Sequence, residues 1–584
     1  MLSSMNSRNI EIIYKDNIPY NIRYNNKYVH SKYDPYKEAK RQFFSLIEQI
    51  NPFINVIICY KVGLGFIIEE IIKNTNYKIL WIEPDIFILE KAKDRLNFAI
   101  NDFRSLIEKR IIFSNLFDVD LIRNLGKDIL KYELFYLKSY LNQEDYKIID
   151  LFYRKRFYYQ VNYNTAKKFE KLWISNFYKN LIFSKYIRPI NHLNNRFQKF
   201  NAIIVCGGPS LDYWINSIKK IQNKILIICV DTALNTLIKN QIIPDFVISV
   251  DAQIINYLHL EKNLNLPFHL VCDPVVYYLT IKNYLLNRKL NQKKVYIFNN
   301  TLPYVSFIYK KLFSDIDFLK SGGSVSTTAL DFACYLGCSN IFFTGLDFGF
   351  PDNIVHTKYS SIEFRLLYYN NRLYSLEYYN YKQLTSLPTK YCLNLKNEKI
   401  ITNDKLMIFK NWFEKHYSYY KHLNLFLLYG NGCPIKNFHI IFNEKEFLQL
   451  LTSKEDKKQL IINEDINTNY DLYKFFTNLN EKLQIIKELI DRILNTIHNF
   501  QNDPSNKKYI ESLFILEQEL FRIEELNLFP YLEASFINYE IDDFKENIKI
   551  SKEVYQNLKE NVQLHINHLS KSLWILQRLE KDEN

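Results

Sequence analysis

The sequence predicts an α/β protein: a Rossmann-like α/β unit first, a larger central α/β domain on a parallel sheet, and a C-terminal bundle of helices. Three observations predict it. Between residues 199 and 440, apolar runs of strand length alternate with helical patterns, the signature of a parallel sheet covered on both faces. Residues 55–85 show the same alternation once, around a glycine turn. From about residue 465, apolar residues recur at three- and four-residue steps, as on helices that pack along a seam. A chain of 584 residues is too long for one core, and about three domains are expected.

The first domain spans 1–150. "NVIICYKVGLGFIIEEII" (55–72) reads as strand, Gly63-Leu64-Gly65 turn and helix, and "KILWIEPD" (78–85) as a second strand ending at Glu83. This is a Rossmann-like half unit without its third glycine. The turn can serve a nucleoside or only the chain reversal. A helical connector, 151–198, is rich in Tyr, Phe and Lys, residues that pack between domains or stack on bases.

The central domain spans 199–440. "FNAIIVCGGPSLD" is a strand running into a turn. "KILIICVD" (224–231), "DFVISVD" (245–251), "FHLVCDP" (268–274), "KVYIFNN" (294–300) and "NIFFTGLDF" (340–348) are further strands, and "SGGSVSTTALDFACYLGC" (321–338) is a glycine turn opening a helix. The last domain, 465–584, carries the seam Leu472, Phe476, Leu479, Leu483, Ile486, Ile490, Ile493, Ile497 and Phe500, with no residue pattern of its own that suggests chemistry.

Composition narrows the partners. Apolar residues make up 47% and charged residues 24%, ordinary for a globular chain. Lys and Arg exceed Asp and Glu by 76 to 63, a net charge of +13. The excess is spread along a chain saturated with Lys, Asn, Ile, Tyr and Phe, and no basic block stands out, so no nucleic acid is expected. The 8 Cys form no CxxC, and several lie in apolar runs; Cys334 and Cys338 lack the second pair a zinc site needs. No signal-peptide core opens the chain, and no run reaches the ~18 apolar residues of a membrane span. A cytoplasmic protein with reduced thiols and no membrane span is expected.

Ligands of open parallel sheets bind beyond the carboxyl ends of the strands. Several candidates fall there: Gly207, Gly208, Pro209 and Ser210 after the first central strand; Asp231, with Thr232, and Asp251 after the next two; Ser321, Gly322, Gly323 and Ser324 before a helix; and Asp347 after a later strand. Only 12 Gly occur in the chain, so two paired glycines at such turns are informative. Glycine lets the backbone approach a ligand, and helix starts favour anions. A phosphate ester on a sugar or nucleoside suits the set. Carboxylates suit a ribose hydroxyl, a sugar amine or a divalent cation. Each residue also has a plain structural use: a tight turn for the glycines, a helix cap for the acids. No P-loop is present.

"AIIVCGGPSLD", "VDTALNTLIKNQIIPDFVISVDAQ" and "SGGSVSTTALDFACYLGCSNIFFTGLDFGF…VHTKYS" together resemble the central domain of the motility-associated factor (Maf) glycosyltransferases. "YVHSKYDPYKEAKRQ" (28–42) and "CYKVGLGFIIEEI…WIEPD" resemble that family's first domain, so the likeness spans most of 20–440. "LYGNGCPIKN" (428–437) departs from the family's late turn at Cys433 and Pro434. The resemblance implies a sialyltransferase-like central domain and a cytoplasmic enzyme that supports flagellum assembly and motility. It would transfer a nonulosonic acid, pseudaminic or legionaminic in type, from a CMP-activated donor to Ser or Thr hydroxyls of flagellin.

Within that reading His356, in the loop "GFPDNIVHTKYS", is the expected base, because imidazole suits proton transfer near neutrality. Asp251 is also expected to be catalytic, and with Asp231 and Thr232 to hold the nucleotide ribose or the sugar. The glycine turns, Ser210, Asp231, Thr232 and Asp347 would hold phosphate, nucleotide and sugar; Lys358 and Tyr359 are further phosphate candidates. No metal site and no obligatory cofactor are expected; Mg²⁺ between Asp231, Asp251 and Asp347 is the one candidate. Two other readings stand beside this one: an ATP-dependent pterin diphosphokinase, and a flagellin-binding protein without activity.

Overall fold

The computed structural model describes residues 10–50, 54–100, 103–198, 200–286, 294–313, 316–451, 471–504, 506–529 and 544–583. Residues 1–9, read above for a signal peptide, and 465–470, the expected start of the helical domain, lie outside them. The chain divides into two units, Met1–Phe169 and Glu170–Asn584.

The first unit opens with a three-stranded antiparallel sheet, β1 (Ile10–Lys15), β2 (Ile18–Tyr24) and β3 (Lys27–Tyr28). The turns Asp16-Asn17 and Asn25-Asn26 take positive φ, which Asn and Asp tolerate. A parallel sheet follows: β4 (Val56–Tyr60), β5 (Lys78–Ile82), β6 (Ile111–Ser114) and β7 (Tyr132–Tyr136), in the order β6-β5-β4-β7. The predicted strand–glycine turn–helix is therefore present. Its turn is filled from within, however. His30 Nε2 accepts the Leu64 N–H at 2.9 Å, and a Cβ on Gly63 would come within 2.5 Å of that same nitrogen. Glu83 is buried at the end of β5, accepts the Tyr140 hydroxyl at 3.0 Å, and is pushed up to about 8 by burial.

The second unit carries the central sheet. Its strands are β8 (Ile187–Pro189), β9 (Ala202–Val205), β10 (Leu226–Val230), β11 (Phe246–Ser249), β12 (His269–Cys272), β13 (Val295–Ile297), β14 (Asn340–Thr344), and, after a separate antiparallel hairpin of β15 (Thr389–Leu393) and β16 (Lys399–Asn403), β17 (Asn424–Leu428) and β18 (His439–Ile441). The nine sheet strands run parallel in the order β18-β17-β14-β9-β10-β11-β12-β13-β8. Every side chain of β9, β10, β11 and β12 is buried, which explains the unbroken apolar runs. The order reverses at β9, with β10 on one side and β14 on the other, and a crevice is expected at that switch.

The connector is not helical throughout. Its helix, Gln143–Leu181, has 39 residues, and β8 follows as the edge strand beside β13. Three residues, one of them Pro189, are too short to show a strand period, so the edge was not legible.

The helices Leu472–Asn502, Lys507–Phe521 and Phe544–Glu583 form the expected C-terminal bundle. All predicted seam residues from Phe476 to Phe500 are buried, with Leu489 added; Leu472 is half-buried. This bundle shares one core with the central sheet. On the helix before β8, the Tyr178 hydroxyl bonds His565 Nδ1 at 3.0 Å and the Tyr178 backbone carbonyl accepts the Ser572 hydroxyl at 3.2 Å.

The expectation of reduced thiols is corrected at one place. Cys392 of β15 and Cys433, in the turn after β17, form a disulfide across 41 residues of sequence. The hairpin folds back onto the β17 turn, a proximity that spacing alone does not reveal. The other six cysteines are free.

Candidate functional site

The stretch after β9 works mainly as a junction between strand ends. Gly208 N–H donates to Gly345 O at 2.9 Å, joining the β9 and β14 turns. Ser210 Oγ accepts the Gly345 N–H at 3.0 Å and donates to the Asp347 carboxylate, whose Oδ2 also accepts Ser210 N–H at 3.0 Å. Asp347 thus caps the helix Leu211–Ile221 from a neighbouring strand, at the position where helices carry unpaired N–H groups. Burial pushes its carboxyl up to about 7.

The glycines here are required by the protein itself. A Cβ on Gly208 would overlap Asp347 Oδ2 and lie 2.6 Å from Gly345 O, and one on Gly432 would lie 2.7 Å from Asp347 Oδ1. Pro209 and Ser210 are buried. Gly208, Ser210 and Asp347 therefore engage one another.

The second predicted glycine turn packs elsewhere. A Cβ on Gly322 would come within 2.5 Å of the Trp412 indole, and Gly323 takes φ +83° beside Phe409. Gly322 N–H donates to Thr327 Oγ1 at 2.8 Å, Gly323 N–H to Ser321 Oγ at 3.4 Å, and Ser324 Oγ pairs with Ser326 Oγ at 2.9 Å. Ser324 is the N-cap of Val325–Tyr335 and makes no side-chain cap, so that helix start keeps N–H groups for another acceptor.

Another group of residues converges on Gly207. Thr232 Oγ1 lies over it: a Cβ there would be 2.7 Å from that oxygen. Gly207 O accepts the Thr357 N–H at 3.0 Å, and His356 lies beside Gly207. Burial holds His356 down to about 4, so the ring is neutral at ordinary pH.

Asp212, the last residue of the "AIIVCGGPSLD" stretch, clamps the same loop. It accepts the Thr357 hydroxyl and the Lys358 N–H, the latter at 3.1 Å. Asn235 and Thr236 hold the loop from the other side through Tyr359 O and Lys358 O, at 2.6 and 2.8 Å. Lys358 and Tyr359 direct backbone groups inward and remain exposed themselves.

Asp231 is buried; it accepts Thr232 N–H at 2.8 Å and faces Asn256 Nδ2 at 3.5 Å. Burial, with a smaller push from Asp251, raises its carboxyl to about 7. Asp251 is half-buried and accepts Gln253 N–H at 2.9 Å, leaving Oδ2 with only a 3.5 Å contact to the Gln253 amide.

Sequence reasoning missed His259 and Arg365. His259 Nδ1 bonds Ser361 Oγ, and burial with the Arg365 charge lowers it to about 4. Arg365 lies on Ser361–Tyr369, a helix with no fully buried residue, so no apolar period marks its inner face. The nine-residue step from His356 to Arg365 was the only available signal.

The structure therefore brings Gly207, Asp231, Thr232, Asp251 and His356 into one region, with Asp212, Asn256, His259 and Arg365 around them. Among the described residues, no three or more His, Cys, Asp or Glu side chains cluster as metal ligands.

Comparison with known proteins follows this division of the chain. The model of the 6-hydroxymethylpterin diphosphokinase MptE-like family matches residues 175–353, from the helix before β8 to the His356 loop. A solved Maf glycosyltransferase from Magnetospirillum magneticum AMB-1 shares the fold over 97% of this chain and 91% of its own, with a TM-score of 0.51 and 14% identity. Two proteins of Treponema pallidum (strain Nichols), both described as uncharacterized, are similar in sequence: 24% identical over 221 residues and 30% over 120. These alignments take in 33% and 20% of this chain, and the chain spans about half the length of each relative, 54% and 56%. The fold expected from the Maf resemblance is borne out along the chain. Among the described residues, no helix is long and apolar enough to cross a membrane.

Proposed function

We propose that the protein is a glycosyltransferase that moves a nonulosonic acid from a CMP-activated donor to a Ser or Thr hydroxyl of flagellin. The carrying observation is His356, a neutral imidazole beside Gly207 in the loop past β14. A neutral imidazole keeps one nitrogen as an acceptor; in the proposed step it takes the acceptor hydroxyl's proton as the oxygen bonds the anomeric carbon of the sugar. The bond from that carbon to the phosphate oxygen breaks, and CMP leaves with the electron pair. Asp231, Thr232 and Asn256 would hold ribose or sugar hydroxyls. Asp251, the half-buried acid, would orient the acceptor or the sugar. The reaction assigned here needs no obligatory metal, and the protein would act in the cytoplasm.

The MptE-like match over 175–353 favours a second reading, diphosphate transfer from ATP to a hydroxymethylpterin. Thermal unfolding with CMP, CDP, UDP, GDP or ATP, with and without Mg²⁺, separates the two. A ligand that binds only the folded state raises the melting temperature. Stabilisation by CMP without Mg²⁺ is expected. Stabilisation by ATP with Mg²⁺ alone would replace the transferase reading with the kinase one.

A further inference from the structure

Arg365 is a cation with an unfilled place. Its helix, Ser361–Tyr369, follows directly from the His356 loop and is capped by Ser360 Oγ, which accepts Glu363 N–H at 3.1 Å. The helix packs against Ile254–Leu260 and the Asp231–Ala233 turn, the elements that carry Asn256, His259, Asp231 and Thr232. The bond between Ser361 and His259 pins its first turn. Arg365 Nη1 is buried without a hydrogen bond, and among the described residues the side chain forms no ion pair. Its charge acts on both His356 and His259, lowering each, from the helix whose first residue bonds His259.

Arg365 as a whole is half-buried, and the one donor of its charged group that is buried without a partner is costly to leave unmade. Both neighbouring imidazoles are held neutral, so neither supplies negative charge. The site's two carboxylates have other bonds: Asp231 to Thr232 and Asn256, Asp251 to Gln253. Glu363, two residues away on the same helix, accepts the Tyr359 N–H. The matching partner is an anion delivered from outside, with oxygens in the fork geometry that arginine recognises.

We propose that Arg365 is the anion clamp of this site, binding carboxylate or phosphate oxygens of the sugar donor beside His356. The identity of the donor rests on the transferase reading above; the anion site does not. A nonulosonate donor carries two such groups, the phosphate of CMP and the carboxylate of the sugar, and either suits the fork.

The test uses the full chain as wild type, Arg365→Gln and Arg365→Lys, with Tyr368→Ala, on the exposed face of the same helix, as the control. Inorganic phosphate, cytidine, CMP and the CMP-sugar are titrated by calorimetry, with unfolding temperature as the check on folding. Arg365→Gln should bind the donor about tenfold to a hundredfold more weakly, with cytidine binding and melting temperature unchanged. Arg365→Lys should restore part of the loss, because it keeps the charge and loses the fork. Weakened CMP places the clamp on the phosphate; unchanged CMP with a weakened CMP-sugar places it on the carboxylate. Equal affinities of wild type and Arg365→Gln for every anion would overturn the proposal. If wild type binds neither CMP nor cytidine, the donor reading fails alone. Inorganic phosphate then decides the clamp: binding lost in Arg365→Gln supports it, and no difference overturns it.

Discussion

At the scale of single residues, His356 is set up to receive a proton. Its folded-state value is lowered from the usual 6.5 to about 4, so the neutral form persists as pH falls well below 6. The unfolded chain binds a proton there first, so this group favours folding above about 6.5 and loses that contribution as pH drops towards 4. For the rate the same direction holds: kcat/KM should show no break near 6.5, and the limb belonging to this base should fall near 4. A pH–rate profile checks this. His356→Ala should lower kcat by about 10²–10⁴-fold while the CMP-induced rise in melting temperature persists. Turnover that survives the substitution removes His356 from the chemistry. Sequence reading reached His356 because it stands in a loop just past a strand end. It did not reach Asp212 as the clamp on that loop, since a carboxylate in a first helical turn looks like a cap.

At the scale of elements, the strand-end turns behave as one interlocked unit. The β9 turn bonds the β14 turn through Gly208 and Gly345, and Asp347 caps the helix that the β9 turn begins. Gly208→Ala should therefore lower the melting temperature with no ligand present, by about 2–4 kcal/mol of stability, because the added methyl meets buried backbone and carboxylate. A thermal scan of the apo protein measures this; an unchanged transition would mean the turn can shift. Loss of CMP binding in such a variant is then a folding effect, so Arg365 and His356 are the better probes of the ligand. The glycines were legible as special, and their position at strand ends was legible too. The partner of each was not, because Gly208 meets residues more than a hundred positions away, and one chain read in order cannot show which turns touch.

At the scale of the whole molecule, apolar periodicity disclosed nearly all of the architecture. The runs at 226–230 and 246–249 are buried on both faces, and the seam from Phe476 to Phe500 is buried as predicted. What it hid were short, mixed elements: β8, ended by a proline, the half-exposed β1–β3 sheet, and the β15–β16 hairpin with its disulfide. The common core of the sheet and the C-terminal helices has a direct test. Leu483 is fully buried, and Leu483→Asp should destabilise the central domain as well as the bundle, by more than about 3 kcal/mol. For the unit Glu170–Asn584, one cooperative transition at lower denaturant, with no change in any separate transition of Met1–Phe169, is the expected result. Two separated transitions within Glu170–Asn584 would show the bundle to be independent.

The placing of β8 bears on how the protein is made. Its hydrogen-bonding neighbour, β13, is more than a hundred residues later, and the strands beyond β14 come later still. Tyr178, just before β8, waits for His565, 387 positions on. A ribosome adding about 5–20 residues each second therefore holds an unfinished sheet edge and an uncovered helix face outside its tunnel for roughly 20–80 s before the last partner emerges. The N-terminal unit can fold as it leaves; the site-bearing unit must wait for its last helix, and in that interval it presents apolar chain of the kind chaperones shield.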